Sequence, residues 1–264
     1  MSIKEDNRKA WEQAYAQKND YEAALLKRIA DHRLFYVDEP MKSVLDTMDL
    51  NDKTVAQFCM NNGRELLSVC HAKGARGLGF DIAENMVEAA LEHARALKLD
   101  VECHAVDIDD MSAAFADRAD LLITTVGALC WFETLDAFFS KAALVLKEGG
   151  TLLIQEMHPF ASMLASEDEV DYDSACPQKP VYDYFERKQW TTHDMGYMSD
   201  ITEAVSFHSF SHTLSDIVNA LCRAGFIIEE MVETPLDHGN MFEAINGGGL
   251  PLTMMLRAVL PDKR

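Results

Sequence analysis

The chain has 264 residues, 48% of them hydrophobic, which is enough to bury the core of one large domain or of a domain with an insertion. Its 24 basic and 44 acidic side chains give a net charge of −20, and a surface this negative repels phosphate backbones. This composition argues against a nucleic-acid partner. The first residues are polar and no long apolar run occurs, so we expect a cytoplasmic protein without a membrane partner.

Six cysteines are scattered along the chain without CxxC pairs, and most lie in apolar runs. This pattern favours buried thiols over disulfides or a zinc site. We therefore expect no bound metal.

The N-terminal region, residues 1–50, is interpreted as a helical cap. Residues 5–35 have helical periodicity and carry Trp11 and Tyr15, and a turn is predicted at 38–40. These helices either pack on the edge of the domain, which is the more common arrangement, or form a lid with the two aromatic side chains facing a ligand.

Residues 54–90 read as strand, turn, helix, strand and helix, and the rest of the chain is placed around them. An apolar run at 55–58 is followed by Asn61–Gly63, residue types that tolerate positive φ, and the next strand ends on Asp81. A helix that begins after a tight turn directs unpaired N–H groups at an anion, and a carboxylate after the next strand can accept hydrogen bonds from ribose hydroxyls. This arrangement predicts a nucleoside ligand. The alternative is an ordinary turn, with Asp81 capping the helix that begins near Glu84.

The alternation of strands and helices continues up to residue 156. Strands are predicted at 101–106, 119–125 and 151–155, with a helix at 135–146 that ends at Gly149 and Gly150. Asp107 follows the third strand and is either part of a solvated acidic turn or a partner for the amine of adenine. Such alternation predicts a parallel sheet with helices on both faces.

The alternation stops in residues 157–211, which we interpret as an inserted cover because a long aromatic-rich connection is usually functional. Strands are predicted within 198–210. A helix from Thr213 and two antiparallel strands, 226–232 and 254–259, complete the core. The core therefore comprises residues 51–156 and 212–264. An exposed apolar face of the cover would support a homodimer.

From about Val55 to Val259 the chain resembles class I S-adenosylmethionine-dependent methyltransferases of the branch that methylates small molecules. The family's D-x-G-x-G-x-G pattern aligns with Gln57, Cys59, Asn61 and Gly63, so an acid and two glycines are replaced. The resemblance implies an α/β, Rossmann-like fold: a seven-stranded, mostly parallel sheet with a C-terminal antiparallel hairpin, helices on both faces and the cover inserted between strands 5 and 6.

The resemblance also implies S-adenosylmethionine as the cofactor and a small-molecule methyl acceptor. Gly63 and its helix would hold the methionyl carboxylate, Asp81 the ribose, and Asp107 with Ile108 the adenine. The full set of predicted cofactor-binding residues is Phe58, Cys59, Asn61, Gly63, Asp81, Ile82, Met86, Asp107, Ile108, Thr125, Val126 and Gly127.

Methyl transfer requires alignment and exclusion of water, for which an apolar aromatic chamber is suitable. The residues predicted to contact the acceptor are Trp11, Tyr15, Trp131, Met157, Phe160 and Tyr184, although aromatic residues of the cover could equally form its own core. His158 is the predicted general base and His212 the second candidate, while a structural role is the more common one for a single histidine.

Two other functions remain open from the sequence. A nicotinamide-dependent oxidoreductase shares the strand, turn, helix, strand and acid order, but usually has G-x-G-x-x-G where this chain has one glycine, Gly63. A non-catalytic binding protein with a methyltransferase-like fold would have lost the cofactor through the altered turn.

Overall fold

We describe residues 2–16, 24–193 and 205–262 from a computed structural model of the chain. A seven-stranded sheet has the order β3-β2-β1-β4-β5-β9-β8, and β6 and β7 form a separate antiparallel pair. The strands are β1 (Thr54–Phe58), β2 (Arg76–Asp81), β3 (Val101–Ala105), β4 (Ala119–Thr124), β5 (Leu146–Met157), β6 (Gln189–Thr192), β7 (Phe207–Phe210), β8 (Ile227–Thr234) and β9 (Thr253–Val259).

Strands β1 to β5 are parallel to one another, and β9 pairs antiparallel with both β5 and β8. The predicted fold class is confirmed, including the closing antiparallel hairpin. The first and second strands are where the apolar runs predicted them, because a strand covered on both faces is apolar almost throughout.

The helices are α1 (Ile3–Ala16), α2 (Leu25–Asp31), α3 (Glu39–Thr47), α4 (Arg64–Lys73), α5 (Glu84–Leu97), α6 (Leu135–Val145) and α7 (Leu214–Arg223). Alternate side chains of each central strand enter two different core clusters. One cluster receives α6 and α7, and the other receives α3, α4 and α5, so the sheet is covered on both faces. None of the helices described is long and apolar enough to cross a membrane.

Two local predictions need correction, and a third is tested only in part. The turn at 38–40 is instead the start of α3, where Asp38 is the N-cap and Pro40 lies in the first turn, a position at which proline costs no hydrogen bond. Gly149 and Gly150 do not end a helix: α6 ends at Val145 and both glycines lie within β5. Of the strands predicted within 198–210, β7 is observed, and residues 198–204 lie outside the described residues.

The N-terminal helix contacts the region predicted to be the cover. The side chain of the buried Asn7 forms two hydrogen bonds with the backbone of His208. Asn7 Oδ1 accepts from His208 N–H at 2.7 Å, and Asn7 Nδ2 donates to His208 O at 2.8 Å. This pair of bonds attaches α1 to the edge of β7 as an additional strand would. Val205 N–H, two residues before β7, also donates to Gln13 Oε1 at 2.8 Å, so α1 is bound to this segment at a second point.

Candidate cofactor-binding site

A tight turn joins β1 to α4 at the carboxyl edge of the sheet. Cys59, Asn61 and Gly63 all have left-handed backbones, with φ values of +50°, +54° and +80°. A Cβ atom on Gly63 would lie 3.0 Å from the Cβ of Ala90, so the close approach of α5 also requires glycine here. The turn thus has the alternating left-handed residues that a glycine-rich loop provides, although two of them are not glycine.

Asp81, at the end of β2, connects this turn to α5. Its Oδ2 accepts a hydrogen bond from Asn61 N–H at 2.8 Å, and its Oδ1 accepts one from Ala83 N–H at 3.0 Å. The N-cap of α5 is Ala83, so the alternative interpretation of Asp81 as the cap is wrong. Burial raises the pKa of Asp81 to about 6, and the hydrogen bonds from backbone N–H groups oppose this rise. Each carboxylate oxygen retains capacity to accept from a hydroxyl group.

A cavity of about 300 Å³ lies beyond the carboxyl ends of β2 and β3. Ile82, Val106 and Asp107 line it from the sheet, and Lys4 and Arg8 line it from α1. The Lys4 ammonium forms ion pairs with Asp107 at 2.8 Å and with Asp109 at 2.7 Å. The acid predicted to meet the adenine therefore already has a cationic partner on α1, which the sequence pattern did not indicate.

Three other predicted cofactor residues are in apolar surroundings. The Phe58 ring is buried against Phe80 and Phe138, so only its backbone is at the turn. Ile108 is buried in the core cluster that contains α6, and Met86 is buried where α1 packs on α5. Met86 thus lies in the contact between α1 and α5, the two helices beside the cavity.

The loop after β4 contains Thr125, Val126 and Gly127 and is fixed by a buried carboxylate. Glu156 Oε1 accepts from Gly127 N–H at 2.7 Å and Oε2 accepts from Ala128 and Leu129 N–H at 3.0 Å. Burial raises the pKa of Glu156, which these hydrogen bonds oppose. Sequence reasoning missed this residue, although a charged side chain directly after the apolar run of β5 was a signal for it.

Trp11, Trp131 and Phe207 form an aromatic cluster between α1, the loop after β4, and β7. The Trp11 ring centroid is 5.4 Å from that of Trp131 and 5.1 Å from that of Phe207, both in edge-on geometry. Tyr15 is buried in the same cluster as Phe207 and Met86, against which the two tryptophans pack. Two of the predicted acceptor residues, Trp11 and Trp131, are therefore in contact at the carboxyl edge.

The remaining predicted acceptor residues are elsewhere. Met157 and Phe160 pack against a small separate cluster that includes Phe242. The Tyr184 hydroxyl accepts a hydrogen bond from Leu214 N–H at 2.9 Å, at the start of α7. The structure therefore does not bring all six of these residues together in one chamber.

The two candidate bases differ in their free lone pairs. His158 Nδ1 accepts from Phe160 N–H at 3.0 Å, which places the proton of the neutral ring on Nε2, 2.9 Å from Glu233 Oε1, and leaves the ring without a free lone pair. His212 Nε2 lies 3.2 Å from Leu129 O and 2.9 Å from Phe132 O, which places its proton on Nε2. Burial lowers the pKa of His212 and hydrogen bonds to the two carbonyls oppose this. No partner of His212 Nδ1 is found in the described part of the chain.

The polar groups at the carboxyl edge fit S-adenosylmethionine. Asp81 supplies acceptors for two hydroxyls, and the N-terminus of α4, which no side chain caps, has the positive dipole end that favours a carboxylate. Within the described residues, Gln57 Oε1 and Thr124 Oγ1 are buried at the ends of β1 and β4 without a hydrogen-bond partner. Buried orphan acceptors are rare in folded proteins and are consistent with a polar ligand at this edge.

The sheet order, the left-handed turn and the acid after β2 together define a Rossmann-like, nucleoside-binding α/β protein. Residues 41–200 match a family described as a methyltransferase domain, which is more than half of the chain. The chain therefore belongs to this methyltransferase family. No match was found among curated protein sequences.

Solved structures agree with this family at the level of the fold. The chain is 21% identical to a Listeria monocytogenes protein described as an S-adenosylmethionine-dependent methyltransferase, with a TM-score of 0.61, covering 83% of this chain and 97% of that one. An S-adenosylmethionine-dependent methyltransferase of Mesorhizobium loti is 17% identical with a TM-score of 0.58, covering 82% and 96%. The glycopeptide N-methyltransferase MtfA, complexed with S-adenosylmethionine, is 13% identical with a TM-score of 0.55, covering 86% and 88%. The prediction of a class I methyltransferase is confirmed, and family and fold support S-adenosylmethionine as the cofactor.

Proposed function

We propose that this chain binds S-adenosylmethionine at the carboxyl edge of β1, β2 and β3 and transfers its methyl group to a small-molecule acceptor. The observation that carries the proposal is the pairing of Asp81 with a turn of left-handed residues at the start of α4. Asp81 would accept hydrogen bonds from the ribose hydroxyls, and the turn with Gly63 would hold the methionyl carboxylate. Ile82 and Asp107 line the cavity that would take the adenine.

The cofactor, when bound, supplies an electrophilic methyl group on a sulfonium. The contribution of the chain is to align the acceptor and exclude water, because an in-line displacement needs little acid or base help. The cluster of Trp11, Trp131 and Phe207 lies where α1 closes over the carboxyl edge and would form an apolar wall there. Trp131 follows the loop that Glu156 fixes, which would keep this wall in place.

For an acceptor that must lose a proton, His212 is the better placed candidate base. Its Nε2–H is held by two carbonyl oxygens, so the neutral ring presents the Nδ1 lone pair. His158 would instead cap the turn after β5, since Nδ1 accepts a hydrogen bond from Phe160 N–H and the neutral ring has no free lone pair. A small-molecule acceptor is favoured over nucleic acid by the net charge of −20.

Calorimetric titration with S-adenosylmethionine, S-adenosylhomocysteine and NADH tests the cofactor. We expect saturable binding of the first two ligands, no binding of NADH, and loss of affinity in Asp81→Asn. Asp100→Asn is the matched control, because Asp100 is an exposed carboxylate before β3 and away from the carboxyl edge. Binding of NADH alone would support an oxidoreductase, and binding of no ligand would support a non-catalytic protein.

Transfer of a labelled methyl group from S-adenosylmethionine to a small-molecule extract tests the acceptor class. We expect label in compounds that pass a low-molecular-weight filter. Label found only in protein or nucleic acid would refute a small-molecule acceptor without affecting the cofactor assignment.

A further inference from the structure

Two aromatic rings in the cover form a corner around a lysine ammonium. Tyr182 and Trp190 have ring centroids 4.7 Å apart and planes inclined at 75°. Lys188 Nζ lies 3.9 Å from the Trp190 centroid and 5.4 Å from the Tyr182 centroid. A single cation thus contacts the faces or edges of two nearly perpendicular rings, which is the arrangement found in binding sites for alkylammonium groups.

The two rings are held by contacts that do not involve Lys188. Trp190 Nε1–H donates to Ser211 Oγ at 2.8 Å, and its backbone pairs with Ser209 across the β6–β7 ladder. Tyr182 N–H donates to Met163 O at 3.1 Å. The corner should therefore keep its shape when the lysine side chain leaves it.

The electrostatic surroundings of the corner also favour a cation. Glu169 and Asp171 lie beside Tyr182. Burial raises the pKa of the Tyr182 phenol, and the charges and hydrogen bonds of these two carboxylates raise it further. Lys188 forms no salt bridge with any of the described residues, and its ammonium group contacts the two rings instead. An ammonium placed on aromatic faces next to two carboxylates indicates that the corner itself attracts positive charge.

We propose that the corner of Tyr182 and Trp190 is a binding site for the alkylammonium group of a small molecule, and that Lys188 occupies it when no such ligand is bound. A methylated ammonium suits the site better than lysine does, because it is less strongly hydrated and contacts the rings with apolar methyl groups. The proposal does not depend on the methyl-transfer function proposed above, since the corner lies in the cover and shares none of the residues assigned to the cofactor.

Titration with choline chloride, followed by NMR of the indole N–H signals, tests the proposal. The Trp190 signal is identified by its loss in Trp190→Phe. Removing the internal competitor in Lys188→Met should lower the dissociation constant for choline about fivefold relative to the unmodified chain. Lys179→Met, which removes an exposed lysine of the same cover, should leave it unchanged. The uncharged isostere 3,3-dimethylbutan-1-ol should not saturate the site.

Tyr182→Leu provides a second test of the geometry and should weaken choline binding in the Lys188→Met background about fivefold, with melting temperature used to check the fold. The proposal is overturned if Lys188→Met gives no saturable shift of the Trp190 signal with choline. It is also overturned if the uncharged isostere binds equally well, which would show an apolar patch, or if Lys179→Met tightens binding to the same extent.

Discussion

The pH dependence of cofactor affinity tests the role proposed for Asp81. Burial raises the pKa of this carboxyl to about 6 from 3.8. Ribose hydroxyls donate hydrogen bonds preferentially to the ionised form, so S-adenosylhomocysteine should bind the carboxylate and release protons near pH 6. With a pKa of about 6, only about a tenth of Asp81 is ionised at pH 5, and the dissociation constant should be about tenfold higher there than at pH 7.5.

Isothermal titration calorimetry between pH 5 and pH 8, in two buffers of different ionisation enthalpy, measures both the affinity and the protons released. Asp81→Asn should bind more weakly at pH 7.5 and show little change with pH. Asp100→Asn should retain the full pH dependence. Equal affinity at pH 5 and pH 7.5, or an unchanged pH dependence in Asp81→Asn, would refute the reasoning.

The same shift predicts the sign of the effect on stability. The folded-state pKa of Asp81 is above the unfolded value of 3.8, so its favourable contribution is complete below pH 3.8 and is lost as pH rises through about 6. A shift of about two units corresponds to roughly 3 kcal/mol, as an order of magnitude, at pH 7.5. Asp81→Asn should therefore lose little stability at pH 7.5. The substitution removes the cost of a buried charge, and this gain offsets the loss of one of the two backbone hydrogen bonds, because the NH₂ group of asparagine cannot accept it.

Three further substitutions address separate parts of the site. Gly63→Ala should lower the free energy of unfolding by about 1–3 kcal/mol more than Gly247→Ala in urea denaturation. Both glycines have positive φ but only Gly63 faces a close neighbour, so equal losses would contradict the packing argument. For an acceptor that must lose a proton, His212→Asn should reduce methyl transfer about 100-fold and leave S-adenosylhomocysteine affinity unchanged in calorimetry. Unaltered turnover with such an acceptor would remove His212 from the mechanism. Lys4→Met should speed both binding and release of S-adenosylhomocysteine in stopped-flow experiments, because the ion pair of Lys4 with Asp107 joins α1 to the other side of the cavity. Lys9→Met removes the same charge from α1 and is the control, so equal rates in the two variants would show that only net charge matters.

The sequence predicted the central sheet because its signals are local. The helix from Glu84 to Leu97 begins where it was predicted, since its apolar periodicity starts directly after a strand. The contacts that close the site depend on residues far apart in the chain. Asn7 binds His208 through two backbone hydrogen bonds, and no pattern within a short window connects two residues 201 positions apart. For the same reason the ion pair of Lys4 with Asp107 was not anticipated.

The altered turn shows how a glycine-poor sequence can keep a glycine-type loop. A left-handed residue other than glycine costs about 1–3 kcal/mol and persists only where its surroundings fix it. Here Asn61 N–H donates to Asp81, the Asn61 side chain accepts from Asn62 N–H at 2.7 Å, and Gly63 N–H donates to Met60 O at 2.9 Å. The shape of the turn thus rests on hydrogen bonds, with Asp81 supporting the turn from the same carboxylate that faces the proposed ribose site.

This account predicts different outcomes for two substitutions at one position. Asn61→Gly relieves the left-handed strain at φ +54° and leaves the N–H that donates to Asp81, so S-adenosylhomocysteine affinity should stay within about twofold in calorimetry. Asn61→Val places a β-branched side chain at the same φ and should lower the free energy of unfolding by about 1–3 kcal/mol or displace the turn and weaken binding. If Asn61→Val binds and unfolds like the unmodified chain, the left-handed turn is not a requirement of the site.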